Sequence, residues 1–194
     1  MAFASARLFT PQEAAALIGV GLQHLQNALT RRRIVGSGLG ADGRRGIDLP
    51  TMMAFAAAER MPSIRIAPET LDRAFRRTEG FPNAAVEIDD VVTIDAPRLL
   101  APILRNLELY DRARSLVTRD PAVMGGMPVI KGTRIPVRTL LARLEGGDSM
   151  EMILEDYPYL DPETVEAAAL YARANPMRGR PRAVVETGPD QTST

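Results

Sequence analysis

The segment from Leu22 to Arg33, LQHLQNALTRRR, carries the densest set of side chains able to recognise another molecule. Stepped at 100° per residue, Leu22, Leu25 and Leu29 share one arc of a helix. Gln23, His24, Asn27, Thr30 and Arg31 fall roughly opposite them. Gln and Asn can each bond bidentately to an adenine edge, and Arg to guanine, while the run Arg31, Arg32 and Arg33 can neutralise phosphates. Any exposed helix face is polar, so the plain alternative is a solvated surface. The combination of residue types and their spacing is nevertheless what groove reading requires. Other chemistry is scarce. With Cys 0 there is no thiolate nucleophile or disulfide, and with His 1 neither a His-based triad nor a His-rich metal site can form within one chain. His24 reads as a polar face residue, since no acid is fixed beside it in sequence. No catalytic residue, metal or cofactor is expected.

A reading helix needs elements to hold it. Thr10-Pro11-Gln12-Glu13 is a helix start in which Thr10 can cap, Pro11 suits the first position and Glu13 can close a capping box. Ala14, Leu17 and Ile18 repeat at helical spacing before Gly19-Val20-Gly21 breaks the pattern. Two short helices across a three-residue turn make a helix-turn-helix pattern. A Gly-rich loop, Gly36 to Gly43, then leads through Arg44-Arg45 to a helix over Pro50 to Glu59, with Met52, Met53, Phe55 and Ala56 available for packing. The loop lacks the G-K-[ST] ending and preceding strand of a phosphate cradle. This order of elements resembles the winged helix-turn-helix of MerR-like and excisionase-like proteins. The resemblance implies that Arg44 and Arg45 form the wing tip and touch the DNA backbone.

Between residues 62 and 115 the pattern changes to a connecting scaffold. Ile64 to Ile66 reads as a short strand, and Pro68 opens a helix with Leu71, Ala74 and Phe75 inward and Arg73, Arg76 and Arg77 on or beside its outer face. Ala85 to Ile94 is either one alternating strand or a hairpin turning at Asp89-Asp90. The two acids have no companion cluster, so a turn or solvated edge is favoured over a metal site. Asp95 can cap the next helix, which carries Leu100, Ile103, Leu107 and Tyr110 on one face. Pro102 implies a kink or a late start there. This region could also hold a dimer interface.

Arg119 to Val137, RDPAVMGGMPVIKGTRIPV, has three prolines and three glycines and can hardly be a helix. It reads as a ribbon whose strand pieces are Val129-Ile130 and Ile135 to Val137. Arg138 to Glu145, Met150 to Tyr157 and a helix opened by Asp161-Pro162 follow, separated by Gly146-Gly147 and Pro158. Asp148 or Ser149 caps the second of them. Asp120-Pro121, Gly125-Gly126, Pro128-Val129-Ile130 and Gly132-Thr133-Arg134-Ile135-Pro136-Val137 resemble the signature of domain of unknown function 433. Gly147, Ile153, Tyr157-Pro158 and Leu160 also fit its pattern, and the resemblance covers about residues 116 to 174. Met127 departs from a commoner basic residue. The resemblance implies an antitoxin of the VapB type, paired with a PIN-like ribonuclease toxin and repressing its own operon. Its implied structural residues are Gly125, Gly126, Pro128, Gly132, Thr133, Arg134 and Pro136. The second helix of this unit carries Glu151, Glu155 and Asp156, which repel phosphate. It is therefore expected to serve dimerisation or toxin contact, although Lys131, Arg134, Arg138 and Arg143 could touch phosphates. Arg134 could equally bond nearby carbonyls. The tail, residues 176–194, has no periodicity and is expected to be disordered in isolation. Arg178, Arg180 and Arg182 are candidates to meet an acidic nuclease groove.

Hydrophobic residues make up 45%, formal net charge is +0, and no run reaches membrane-span length. The opening residues lack the apolar segment of a secretory signal, so a cytoplasmic location is expected. Charge runs from a basic front to an acidic back. The expected fold is mainly α with short β elements (α+β). A winged helix-turn-helix would occupy residues 1–61, a scaffold 62–115, a helix-turn-helix-like three-helix unit behind a β-ribbon 116–175, and a tail 176–194. The expected function is that of a non-enzymatic antitoxin and repressor, with operator DNA and a PIN-like ribonuclease as partners, no membrane partner, and a homodimer or toxin–antitoxin hetero-oligomer as the assembly. A stand-alone dimeric transcriptional regulator without a toxin is the alternative.

Overall fold

The computed structural model describes residues 7–31, 46–78 and 82–177. Within them the chain is mainly helical, with three two-stranded antiparallel ladders. β1 (Leu8–Phe9) pairs with β2 (Ile47–Asp48), Leu8 opposite Asp48 and Phe9 opposite Ile47. α1 (Pro11–Ile18) starts at the expected capping box: the Thr10 hydroxyl accepts from the Glu13 amide at 3.2 Å, and the Glu13 carboxylate accepts from the Thr10 amide at 2.7 Å. α2 (Leu22–Thr30) follows the glycine turn. α3 (Leu49–Arg60) is capped by Asp48, whose carboxylate accepts from the Thr51 amide at 3.0 Å. α4 (Pro68–Arg76) packs on α3.

The expected strand at Ile64 to Ile66 does not form. The Ile64 amide donates back to the Met61 carbonyl at 3.0 Å, closing a turn, and no strand among the described residues lies alongside to take the segment's other backbone groups. For Ala85 to Ile94 the hairpin alternative is the one taken. β3 (Val86–Glu87) pairs with β4 (Thr93–Ile94), and Asp89 holds the turn by accepting from the Val91 and Val92 amides at 2.9 and 2.8 Å. α5 (Ala96–Leu116) begins at its Asp95 cap and runs through Pro102, so the late start is not used.

The ribbon is built from three pieces. β5 (Val117–Thr118) pairs with β6 (Val129–Ile130), and Val129 also bridges to Pro136. The Ile130 amide donates to the Ile135 carbonyl at 3.0 Å, and the Val137 amide to the Pro128 carbonyl at 3.0 Å. The second expected strand piece, Ile135 to Val137, does not form beyond that isolated bridge, because α6 (Val137–Glu145) already begins at Val137. α7 (Met150–Asp156) is capped by Ser149 and α8 (Pro162–Ala174) by Asp161.

Apolar side chains form two cores. One runs from Phe9 to Ala113 through α1 to α5, and includes Ala167, Leu170 and Ala174 of α8. The other joins Ile130, Ile135, Val137, Leu140 and Ile153 to Val165, Ala168 and Ala172 of α8. Ion pairs flank the α5–α8 contact: Arg105 with Glu166 at 2.6 Å, and Arg112 with Glu163 and Asp161. Being exposed, each contributes no more than about 1 kcal/mol, so the apolar contact dominates.

Two polar junctions, both only partly buried, tie the helices together. The Tyr110 hydroxyl donates to Glu13 at 2.6 Å and accepts from the Asn175 side-chain amide at 3.1 Å, joining α1, α5 and the end of α8. Burial and the Glu13 carboxylate push that hydroxyl well above its usual range. Arg76 is exposed on α4, yet its guanidinium reaches across to α3. It donates to Asp72 and Asp48 at 2.7 Å and to the Thr51 hydroxyl at 2.9 Å, pinning α4 to the start of α3. Burial raises the Asp48 pKa, but hydrogen bonds from Arg76 and Thr51 outweigh it and hold the carboxyl below its ordinary 3.8.

A Tyr110→Phe variant should lose about 1–2 kcal/mol in urea unfolding, because Glu13 and Asn175 both lose a partner. Asp48 has a depressed folded-state pKa, so its stabilisation is present in full above pH 3.8 and lost as pH falls through the folded value. The destabilisation caused by Asp48→Asn should therefore be full at pH 6 and shrink towards zero at the most acid pH the fold tolerates.

Candidate nucleic-acid interface

The joint between α1 and α2 is made by backbone chemistry. Gly19 ends α1 at φ 83°, in the left-handed region, and its amide donates to the Ala15 carbonyl at 3.0 Å. Val20 donates to the same carbonyl at 3.0 Å, and Gly21 restarts the chain at φ −68°. The turn lays Leu25 and Ala28 of α2 into the core, with Leu22 and Leu29 partly covered. The opposite arc faces water, as the periodicity predicts. Gln23, His24, Asn27, Thr30 and Arg31 are all exposed there.

Each of these side chains has a definite state. Gln23 donates to the Asn27 side-chain carbonyl at 3.1 Å, an exposed pair one helical turn apart. Thr30 donates along the helix to the Gln26 carbonyl at 2.9 Å. Arg31 closes α2, where a cation is favoured by the helix dipole. His24 is the exception to the free arc. Its Nε2 lies 2.9 Å from a Glu59 carboxylate oxygen, and its ring sits 5.9 Å from that of Phe55. This acid, missing from the local sequence, comes from the far end of α3. It ties α2 to α3 and places a carboxylate beside the arc. The only sequence signal was an exposed Glu at the end of the packed helix that follows the basic loop.

Arg32, Arg33, Arg44 and Arg45 lie outside the described residues, as do Arg178, Arg180 and Arg182. The ribbon residues are described. Gly125, Gly126 and Gly132 have φ of 66°, 81° and 78°, which suit glycine, and Pro128 is buried. Thr133 locks the turn by donating to the Ile130 carbonyl at 2.8 Å and accepting from the Ile135 amide at 3.1 Å. Pro136 bridges to Val129. Arg134 is exposed and makes no hydrogen bond among the described residues.

The C-terminal helices present a different surface. Glu151 and Glu155 are exposed on α7. Arg143 is held by Asp148 and by Asp156, each at 2.6 Å, and its guanidinium lies 5.9 Å from the Tyr157 ring centre. Its charge is thus satisfied internally. Among the described residues no group of three or more His, Cys, Asp or Glu could hold a metal ion, and no helix is long and apolar enough to cross a membrane.

The two glycines of the joint make separable demands. Gly19→Ala should cost about 1–2 kcal/mol in thermal or urea unfolding, since a Cβ is disfavoured at positive φ. Gly21→Ala, at ordinary φ with nothing within 4 Å of the added carbon, should change stability by less than about 0.5 kcal/mol.

Comparison with known proteins places part of this chain. A curated relative, "Uncharacterized protein y4eO" of Sinorhizobium fredii (strain NBRC 101917 / NGR234), is 40% identical over 130 residues. That match takes in 64% of this chain and 57% of the relative, so the chain spans little more than half of the relative's length. A solved structure titled "X-ray crystal structure of Rv2018 from Mycobacterium tuberculosis" covers 83% of this chain and 96% of its own, at 15% identity. Its TM-score of 0.30 is too low to carry an argument about fold. The family match falls on the ribbon and the helices after it: residues 117–172 match the family described as "Protein of unknown function (DUF433)".

Proposed function

We propose that this chain is a non-enzymatic DNA-binding antitoxin that represses its own operon and neutralises a PIN-like ribonuclease by direct binding. The observation that carries the DNA half is the two-sidedness of α2. Leu25 and Ala28 fix it to the core, while Gln23, Asn27 and Arg31 stand on its exposed arc, where they can meet base edges and phosphates. Arg32 and Arg33 extend the basic end, and Arg44 and Arg45 would add backbone contacts from the loop. A single short helix reads few base pairs, so pairing of two copies on half-sites accompanies this reading.

The antitoxin half rests on the ribbon's resemblance to domain of unknown function 433. The charge of α7 supports a division of labour. Glu151 and Glu155 disfavour phosphate, which leaves the C-terminal unit for dimer or toxin contact and the DNA to α2.

Against DNA from upstream of its own gene, an Arg31, Arg32 and Arg33→Ala triple variant should bind more weakly. Its log K against log salt should flatten by about 0.9 for each phosphate that is no longer neutralised. An unchanged gel shift would refute the assignment of α2. Asn27→Ala should instead cost about 1–3 kcal/mol on the specific sequence and little on random DNA. For the antitoxin half, the full chain should co-purify with the ribonuclease encoded beside it and relieve its RNA cleavage. DNA binding without such a partner would leave a stand-alone regulator.

A further inference from the structure

The end of α3, the hairpin β3–β4 and the first turns of α5 line an open recess of about 500 Å³. Its walls are largely hydrocarbon, supplied by Ile64, Ile66, Val92 and Leu99. The Ile64 to Ile66 segment has no strand partner among the described residues, and Ile64 keeps 56% of its surface in water. Two cations, Arg60 and Arg98, also line the cavity. Arg98 is exposed and its side chain has no partner among the described residues. Arg60 makes a single long hydrogen bond, 3.4 Å, to the Ile18 carbonyl. The lining acid, Asp95, caps α5 by accepting from the Arg98 amide at 3.2 Å. Two guanidinium groups against one carboxylate leave the site net positive, and the amino-terminal end of α5 adds to that.

These features select an occupant. The volume falls in the range of about 300–1,000 Å³ typical of small-molecule sites. A stable protein partner would need a patch of about 800 Å², broader than this recess offers. Apolar walls reject a sugar or a free phosphate, which would lose hydration without hydrogen bonds in return. The cations require an anion.

We propose that this cavity binds a small amphipathic carboxylate. Its apolar body lies against Ile64, Ile66, Val92 and Leu99, and its carboxylate meets Arg60 and Arg98. The site also reaches the helix joint. Arg60 holds the carbonyl of Ile18, the last residue of α1, so a bound carboxylate competes for the same guanidinium.

Radiolabelled decanoate, in equilibrium dialysis against the full chain, should show one saturable site per chain. Decan-1-ol, with the same body and no charge, should compete about ten-fold less well. Arg98→Gln should weaken decanoate binding by about three-fold and Arg60→Gln with Arg98→Gln by about ten-fold or more, with helical circular dichroism retained. Decanoate should also shift the NMR amide signals of Gly19 and Val20 in the parent chain and not in Arg60→Gln. Non-saturable uptake, equal competition by decan-1-ol, or full affinity in Arg98→Gln would each overturn the site. Unmoved Gly19 and Val20 signals at saturation would overturn its link to the joint.

Discussion

Two hydrophobic cores meet on α8, and that shared helix is the constraint on which the architecture depends. Ala167, Leu170 and Ala174 face the core built by α1 to α5, while Val165, Ala168 and Ala172 face the core of the ribbon, α6 and α7. Tyr171 packs against both. Small side chains let neighbouring backbones approach, and interaxial distance is set by the side chains at the contact. Larger residues at Ala167 or Ala168 would have to displace a whole helix. α8 also touches α1 directly, where the Gln12 side chain donates to the Arg173 carbonyl at 3.0 Å. The family-matched segment is thus packed behind the helix that seats α2. α1 in turn packs against α2.

Charge is divided along the same lines. α2 presents amides and a terminal arginine to solvent, and the nearby acid, Glu59, is occupied by His24. α7 presents acids, and Arg143 is consumed by Asp148 and Asp156. Lys131 and Arg134 are both exposed on the ribbon turn, whose backbone Thr133 fixes.

Local signals account for what was legible in the sequence. The Thr10–Glu13 capping box, the Asp95, Ser149 and Asp161 caps, and the Gly19 stop are short-range hydrogen bonds and dihedral preferences, and the structure carries each of them. The arc of α2 was readable for the same reason, since helical periodicity needs only neighbouring residues. What escaped depends on partners far along the chain. β1 and β2 are two residues each, too short to show alternation, and exist only because Leu8 and Asp48 meet. Ile64 to Ile66 has strand-forming residues and, among the described residues, no strand to join. Arg76 sits on the polar side of α4 by periodicity, yet α3 brings Asp48 and Thr51 within its reach. The His24–Glu59 contact and the cavity beside Arg60 arise likewise from tertiary packing.

The proposed function puts DNA on α2 and not on α7. Amide hydrogen exchange of the full chain, with and without its upstream DNA, tests this most directly. DNA held on α2 should add protection over residues 22–31 and none over residues 150–156. Protection confined to residues 150–156, with residues 22–31 unchanged, would contradict it.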